Sequence, residues 1–433
     1  MRILLLGSGG REHAFAWKLN QSAPSHSIYT APGNPGTAKC GKNVQLDIKD
    51  FDAIRKFCIK EKIEMLIVGP EEPLVNGLYD YFKASEELKT IRFIGPSKEG
   101  AKLEGSKAFA KAFMQRHNIP TSKYREFTIE NYEEGIKYLQ QHALPIVLKA
   151  DGLAAGKGVV ICQSYVEAIA EFELMIQQAK FGEASKKVVV EDFLNGIEVS
   201  VFAITDGKNY VMLPEAKDYK RIGEGDKGLM TGGMGAVSPV PFVKDDFMRK
   251  VEERVIRPTI NGIYREAIEY TGFIFFGLIN VNGDPFVIEY NCRMGDPETE
   301  VVIPRLENDL VEICIAASDK ELDKVQVKMD KRAAATIMAV SRGYPTGFEK
   351  GFEISGLDEK YGKQSIVFQA GTKEVNGKIV SNGGRVFCVT SFGEDIEDAV
   401  SSSLEVLNNI HFEGIYYRTD IGYEFKASAS PQV

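Results

Sequence analysis

Over the first hundred residues, short runs of β-branched and leucine residues alternate with amphipathic stretches, the pattern of a parallel sheet covered by helices. Residues 2–6, 27–30, 65–68 and 92–94 read as strands. Each runs into a turn rich in glycine or proline: Gly7-Ser8-Gly9-Gly10, Ala31-Pro32-Gly33-Asn34-Pro35-Gly36, Gly69-Pro70-Glu71 and Gly95-Pro96-Ser97. Ligands in open α/β sheets sit beyond the carboxyl ends of the strands, so these turns are expected to line one crevice. Phe109, Ala112 and Phe113 have helical spacing within residues 106–117, and Pro120 ends that helix. A helix over 131–141, a strand over 145–149, a glycine-rich loop, a strand over 158–162, a helix over 166–178 and a strand over 188–193 then predict a small lid-like unit. Strands are expected over 198–205, 210–213, 273–281 and 286–290, with one long helix over 245–270. Beyond about residue 324 the chain turns strand-rich, with strands over 334–340, 366–370 and 385–390.

The 433 residues are too many for one small module; at roughly 150 residues per domain they suggest three. With 44% hydrophobic and 26% charged residues, the chain is neither disordered nor fibrous. Its formal charge of −8 gives no general attraction to nucleic acid or anionic membrane, so any phosphate must be held locally. The six cysteines are scattered with no C-x-x-C pair, which fits reduced thiols. The apolar run at residues 3–6 is too short for a signal-peptide core, and no later run approaches the ~18 residues that span a bilayer. A soluble, cytoplasmic protein is expected.

Gly7-Ser8-Gly9-Gly10-Arg11-Glu12-His13 follows a strand and opens a helix, so its N–H groups could receive an anion. It is not a dinucleotide fingerprint: Glu12 stands where the third glycine belongs, and no ribose-binding acid follows about 20 residues on. A monophosphate or small polar ligand and a purely structural turn both remain open. Lys149 to Gly158 departs from a P-loop, because three residues instead of four precede the Gly156-Lys157 pair and Gly158 replaces the Ser or Thr. It reads as a glycine hairpin that, with Lys149, could close over a triphosphate. Strict alternation over residues 286–291 would place Phe286, Ile288 and Tyr290 on one face, and Glu289 and Asn291 on the other. Two hard oxygen ligands on one face suit magnesium with substrate phosphates, and Arg293 beyond them could stabilise a transferring phosphoryl group. The glycine-rich stretch after Asp218-Tyr219-Lys220-Arg221 reads as a mobile active-site loop. Five histidines suggest neither a metal cluster nor a catalytic triad.

Together these segments resemble the ATP-grasp ligases and, among them, the phosphoribosylamine–glycine ligase family. The likeness runs nearly end to end through residues 9–14, 31–34, 68–71, 103–107, 149–158, 231–235, 289–298 and 382–386. It implies a mixed α/β and α+β fold: an open parallel α/β domain (1–105), an ATP-grasp region (106–325) with a lid (about 122–193) and a central domain (about 194–325), a strand-rich C-terminal domain (326–426) and a frayed tail (427–433). The reaction implied joins glycine to 5-phosphoribosylamine through glycyl phosphate, with ATP as co-substrate, Mg2+ or Mn2+ as cofactor, and a monomeric enzyme. The runner-up is another ATP-grasp ligase, such as a biotin-type carboxylase.

By the same resemblance, Lys107 and Lys149 bind ATP phosphates beneath a loop containing Gly156, Lys157 and Gly158. Glu191, Asp192, Phe193 and Leu194 form the adenine hinge, Glu198 accepts the ribose hydroxyls, and Leu278 packs on the base. Glu289 and Asn291 hold the metal. Arg293, Lys220 and Asp218 are the catalytic set. Gly9, Gly10, Arg11, Glu12, Gly33, Asn34, Gly69, Pro70, Glu71 and Asp296 line the phosphoribosylamine crevice. The chain departs from the family pattern at Tyr219 and Met230, and Gly277 stands where many ATP-grasp enzymes have a second metal-binding acid.

Overall fold

The computed structural model describes residues 1–22, 26–153, 158–357, 361–362 and 364–425. Strands Arg2–Gly7, Ser27–Pro32, Met65–Val68 and Arg92–Pro96 form as expected and pair in parallel, with the short Lys42–Asn43 strand outside Ser27–Pro32. All four residues of Met65–Val68 are buried, as in a parallel strand covered on both faces.

This sheet does not end at the first domain. Arg92–Pro96 pairs antiparallel with Tyr270–Val281, and the ladder continues through Ile197–Thr205, Tyr210–Asp218, Gly235–Ser238, Ala333–Ser341, Arg385–Gly393 and Ser365–Gln369. Fourteen strands among the described residues thus form one sheet running through the N-terminal, central and C-terminal parts. Helix Ile396–Leu407 packs on its C-terminal end. The sequence reading missed this helix, although its buried stripe of Ile396, Ala399, Val400, Ser403, Val406 and Leu407 has helical spacing and Asp395 caps it.

Over the cleft stands a separate four-stranded antiparallel sheet, in the order Tyr124–Thr128, Lys187–Asp192, Ile146–Ala150, Val159–Cys162, backed by helices Tyr132–Gln141 and Tyr165–Ile176. This lid has its own core of Phe127, Leu139, Leu148, Phe172, Met175 and Val190, among others. Strand Tyr124–Thr128 escaped the pattern reading because Phe127 alone is buried within it.

Two further expectations change. The long helix ends at Arg265, and strand Tyr270–Val281 begins within the stretch read as helix. Its course is Asp245–Val251, a widened π turn at Glu252–Ile256 and Arg257–Arg265. The wide turn immediately precedes Pro258, which lacks the N–H a regular helix would aim at residue 254. Part of the glycine-rich stretch read as a mobile active-site loop is an ordered hairpin, Arg221–Gly223 with Lys227–Met230. Arg418 clamps it through Asp226 (2.6 Å) and the Arg221 carbonyl (3.1 Å), and Asp420 accepts from the Gly225 N–H (2.6 Å).

Among the described residues no helix is long and apolar enough to cross a membrane. All six cysteines are buried and free. Because the lid has a core of its own, Phe172→Ala is expected to cost about 3–5 kcal/mol locally. Hydrogen exchange should accelerate in Ile146–Ala150 and Lys187–Asp192 while protection in Met65–Val68 is unchanged.

Candidate active site

The site is organised by one irregularity in strand Asp284–Asn291. Gly277 pairs with Glu289 but Leu278 pairs with Val287, so Ile288 is an extra residue bulged out of the ladder. Strict alternation therefore fails here: Val287 and Tyr290 both enter the core, and Ile288 does not share a face with Tyr290 in the way the pattern implied. Beyond the bulge, the cross-strand register puts Glu289 and Asn291 on the face of Ser200 and Gly277. Neither side chain makes a hydrogen bond or ion pair among the described residues, so their oxygens are free for a ligand. The bulged Ile288 carbonyl accepts from the lid, at 3.0 Å from Lys149 Nζ.

Lys149 also faces Glu191 at 3.0 Å, and the other oxygen of Glu191 meets Lys111 Nζ at 2.9 Å and Ser122 Oγ at 2.6 Å. Burial alone would raise the Glu191 carboxyl, but the two lysines outweigh it and hold it below the usual range. Lys107, at the start of helix Lys107–Arg116, makes no ion pair among the described residues. The backbone beside it is pinned by Asp151, which accepts from the Ala108 N–H (2.7 Å) and Ser106 Oγ (3.0 Å). Gly158 pairs with Ala150 across the lid hairpin, whereas Gly156 and Lys157 lie outside the described residues.

Below the lid, Lys220 pairs with Glu198 at 2.8 Å and lies 3.8 Å from Asp218. Asp218 Oδ1 is buried without a donor, and Glu298, held by Ser200 Oγ at 3.1 Å, is its neighbouring carboxyl. Burial first, and Glu298 second, push the Asp218 carboxyl up to about 8. Tyr219 points the other way: it lies in the C-terminal core with its hydroxyl on Glu424 (2.9 Å). Met230 is half exposed on the hairpin.

Three of the four N-terminal turns, at Gly7 to Gly10, Gly33-Asn34 and Gly69-Pro70, come together around Glu12, whereas the fourth, at Gly95 to Ser97, does not join them: Gly95 and Pro96 pair with strand Tyr270–Val281 and the Ser97 N–H donates to the Glu269 carbonyl. Glu12 accepts from the Gly9 N–H (2.6 Å) and pairs with Arg11 (2.7 Å). Added Cβ atoms at Gly7 and Gly69 would overlap its side chain, so these glycines make room for a carboxylate. The Gly9 amide is thereby already engaged by the chain's own anion. Asn34 is likewise committed: its amide donates to the carbonyls of Ser8 (2.9 Å) and Gln369 (2.8 Å), and its oxygen accepts from Gly36 and Thr37, so it builds the turn at Gly33. Arg293 is held by Glu71 (3.2 Å) and Glu104 (2.8 Å), just beyond the Gly69-Pro70 turn. Asp296 pairs with Arg385 at 2.9 Å and lies 3.2 Å from where a Gly9 Cβ would be. Glu300 beside Gly10 is fully buried with neither oxygen hydrogen-bonded; burial first, then Asp296, raises its carboxyl well above the ordinary range.

Other placements revise the hinge. Asp192 turns to His142 at 3.0 Å, within the lid. Phe193 and Leu194 cross from the lid to strand Ile197–Thr205. Leu278 is completely buried in the core with Val199 and Val287, on the face opposite Glu289, so it cannot pack on a base there. Ile279, opposite Glu198, continues the cleft face instead. The sequence reading also passed over Lys111, Glu104, Glu298, Glu300 and Arg385. Each was visible only as a charge within or near a quoted motif, and what separates it from surface charge is burial against residues more than a hundred positions away or on another element.

Three comparisons place this geometry among known proteins. The chain matches the phosphoribosylglycinamide synthetase N domain over residues 1–104, the ATP-grasp (A) domain over 105–299 and the C domain over 334–424. It is 46% identical over 426 residues to the phosphoribosylamine–glycine ligase of Haemophilus influenzae, covering 98% of both chains. The crystal structure of the phosphoribosylamine–glycine ligase from Thermotoga maritima superposes with a TM-score of 0.84 at 35% identity, over 97% of this chain and 100% of that one. The biotin carboxylase of Campylobacter jejuni shares the fold, with a TM-score of 0.74 at 15% identity over 99% of this chain and 96% of that one.

Gly69→Ala should drive Glu12 from its seat, destabilising the protein by about 1–3 kcal/mol in denaturant unfolding. Combined with Glu12→Ala, the cost should be clearly less than the sum of the two single substitutions.

Proposed function

We infer the chemistry of this cleft from one premise: the chain belongs to the phosphoribosylglycinamide synthetase family. It catalyses the ATP-dependent ligation of glycine to 5-phosphoribosylamine in purine biosynthesis. The observation that carries the assignment of residues is the unpartnered Glu289 and Asn291 pair between a lid lysine and a buried carboxyl group that lacks a donor.

The nucleotide lies between lid and central sheet, its phosphates against Lys149 and Lys107, its ribose near Glu198 and its base along Phe193, Leu194 and Ile279. Glu289 and Asn291 offer two oxygens and Gly277 opposite them offers none, a donor set that suits Mg2+ completed by phosphate oxygens. A divalent cation there would neutralise charge on the transferring phosphoryl group.

Glycine fits beside Asp218 and Glu298. Two buried carboxyl groups with one lysine at 3.8 Å leave room for another cation, which the glycine ammonium supplies. Its carboxylate then faces Arg293, and a carboxylate oxygen attacks the γ-phosphorus, yielding glycyl phosphate and ADP. The guanidinium, fixed by Glu71 and Glu104, is aimed before the substrate arrives. 5-Phosphoribosylamine enters over the turns at Gly9 to Glu12 and Gly69 to Glu71. Its amine attacks the acyl carbon, a C–N bond forms, the C–O bond to phosphate breaks, inorganic phosphate leaves and one proton is lost. Asp296, oriented by Arg385, lies on that path. The work is positioning and charge neutralisation, and no covalent enzyme intermediate is required.

Glu289→Gln and Lys149→Ala should each lower ADP release, measured in a coupled assay with freshly made phosphoribosylamine, by a factor on the order of 10² while leaving the fold intact. Wild-type turnover in either variant rejects these roles. Asp218 gives a pH test. In the free enzyme its carboxyl is neutral below about 8, and the glycine ammonium favours the ionised form. The KM for glycine should therefore fall as pH rises from 6 toward 8. Asp218→Asn should raise that KM and flatten its pH dependence.

A further inference from the structure

The lid meets the body through a buried cluster of charges that does not sum to zero. Lys111, on helix Lys107–Arg116, is almost fully buried. Its ammonium donates to Thr121 Oγ1 (2.8 Å) and Ser122 Oγ (2.7 Å) and pairs with Glu191 Oε2 (2.9 Å) on lid strand Lys187–Asp192. The other oxygen of that carboxylate serves Lys149 (3.0 Å) on lid strand Ile146–Ala150. Two ammonium groups thus share one carboxylate, all three almost inaccessible to water. Their remaining partners are neutral: the Ile288 carbonyl on Lys149, and two hydroxyls on Lys111, one of which, Thr121, donates in turn to the Val287 carbonyl (2.7 Å).

A surplus positive charge in such a place is costly unless an anion completes it. Were Lys111 absent, Glu191 and Lys149 would be a matched pair, and Lys149 would face the cleft with its charge largely cancelled. With Lys111 present, Glu191 is divided between two cations. Lys111 itself cannot reach the cleft, because it is enclosed by Glu191, Thr121, Ser122 and the ring of Tyr124 at 5.7 Å.

We propose that Lys111 is a positioning residue for nucleotide binding: by sharing Glu191 with Lys149, it leaves the charge of Lys149 available to the nucleotide's phosphates. The proposal rests on Lys149 being a phosphate ligand. It adds that the ligand's strength is set from behind by a second lysine that never touches substrate. It also makes the lid's grip on the body responsive to nucleotide, since Lys111 and the Ile288 carbonyl belong to the body while Glu191 and Lys149 belong to the lid.

The experiment is calorimetric titration of MgADP into the full-length enzyme and its variants, alongside the KM for ATP, the KM for glycine and kcat. Lys111→Met should weaken MgADP and raise the KM for ATP on the order of 10- to 100-fold, the loss expected for a charged interaction. The KM for glycine should stay within about twofold of wild type, as only the phosphate pocket changes. The decisive variant combines Lys111→Met with Glu191→Gln, which restores one unopposed lysine. MgADP affinity should recover most of the loss, whereas a merely structural role for Lys111 predicts a double variant no better than the single one.

The wild type gives a measurement that needs no substitution. Burial lowers the Lys111 ammonium to about 8, with Glu191 raising it and Lys149 lowering it. Glu191, Lys149 and Asp192 are the charged groups acting on it. MgADP affinity should therefore fall between pH 7 and pH 9 in wild type and stay flat in the double variant. Wild-type MgADP affinity in a folded Lys111→Met variant, or a flat wild-type pH profile, overturns the proposal. If Lys149→Ala also bound MgADP normally, the phosphate role of Lys149 would fall with it; if Lys149→Ala alone weakened binding, only the role of Lys111 would be lost.

Discussion

One extra residue in one strand governs this active site. Because Ile288 is bulged out of its ladder, the core keeps Val287 and Tyr290 while Glu289 and Asn291 both turn to the cleft. The same bulge frees a carbonyl that a regular ladder would have engaged, and Lys149 reaches down from the lid to it. The placement of Glu289 and Asn291 and the lid's attachment point are therefore two products of a single backbone irregularity. Filling the bulge or moving it by one residue would exchange the cleft face for the core face, so the site is specified at the level of backbone register before any side chain acts.

The charges around this strand are arranged in tiers. Lys149, Arg293 and Asp296, the residues proposed to meet substrate, are each held from behind by a partner of opposite charge: Glu191, Glu104 with Glu71, and Arg385. Those partners come from the lid, the N-terminal part and the C-terminal part respectively. The cleft is thus assembled from all regions of the chain, and preorganisation of its charged groups is a property of the whole fold.

Much of this was readable in advance. The four parallel strands and their turns, the lid's main strands, and the Glu289, Asn291, Arg293 series followed from periodicity and from glycines beside charges. What escaped has common physical causes. A bulge leaves no signature in an alternating pattern, so alternation puts Ile288 on one face with Tyr290 although Ile288 is the extra residue of the ladder; the resemblance points to Leu278 as a cleft residue, whereas the core claims it and Ile279 continues the cleft face. Lys111, Glu104 and Arg385 look in sequence like ordinary surface charge; only long-range packing buries the first two and pairs Arg385 with Asp296. The stretch after Lys220 reads as a mobile loop because glycine recurs throughout it, whereas the clamp that folds its first part, Arg418 with Asp420, lies nearly two hundred residues downstream.

The junction between Arg92–Pro96 and Tyr270–Val281 bears on how the chain is made. On the ribosome the first five strands can pair with one another as soon as they emerge, but the outer rim of Arg92–Pro96 stays bare until the lid and half of the central part have followed. An open rim is an invitation to foreign strands, and here only two register pairs, Tyr270 with Pro96 and Thr271 with Gly95, eventually seal it. Short as it is, that seam closes the rim and lets the finished protein run its strand pairing unbroken from the N-terminal part to the C-terminal part.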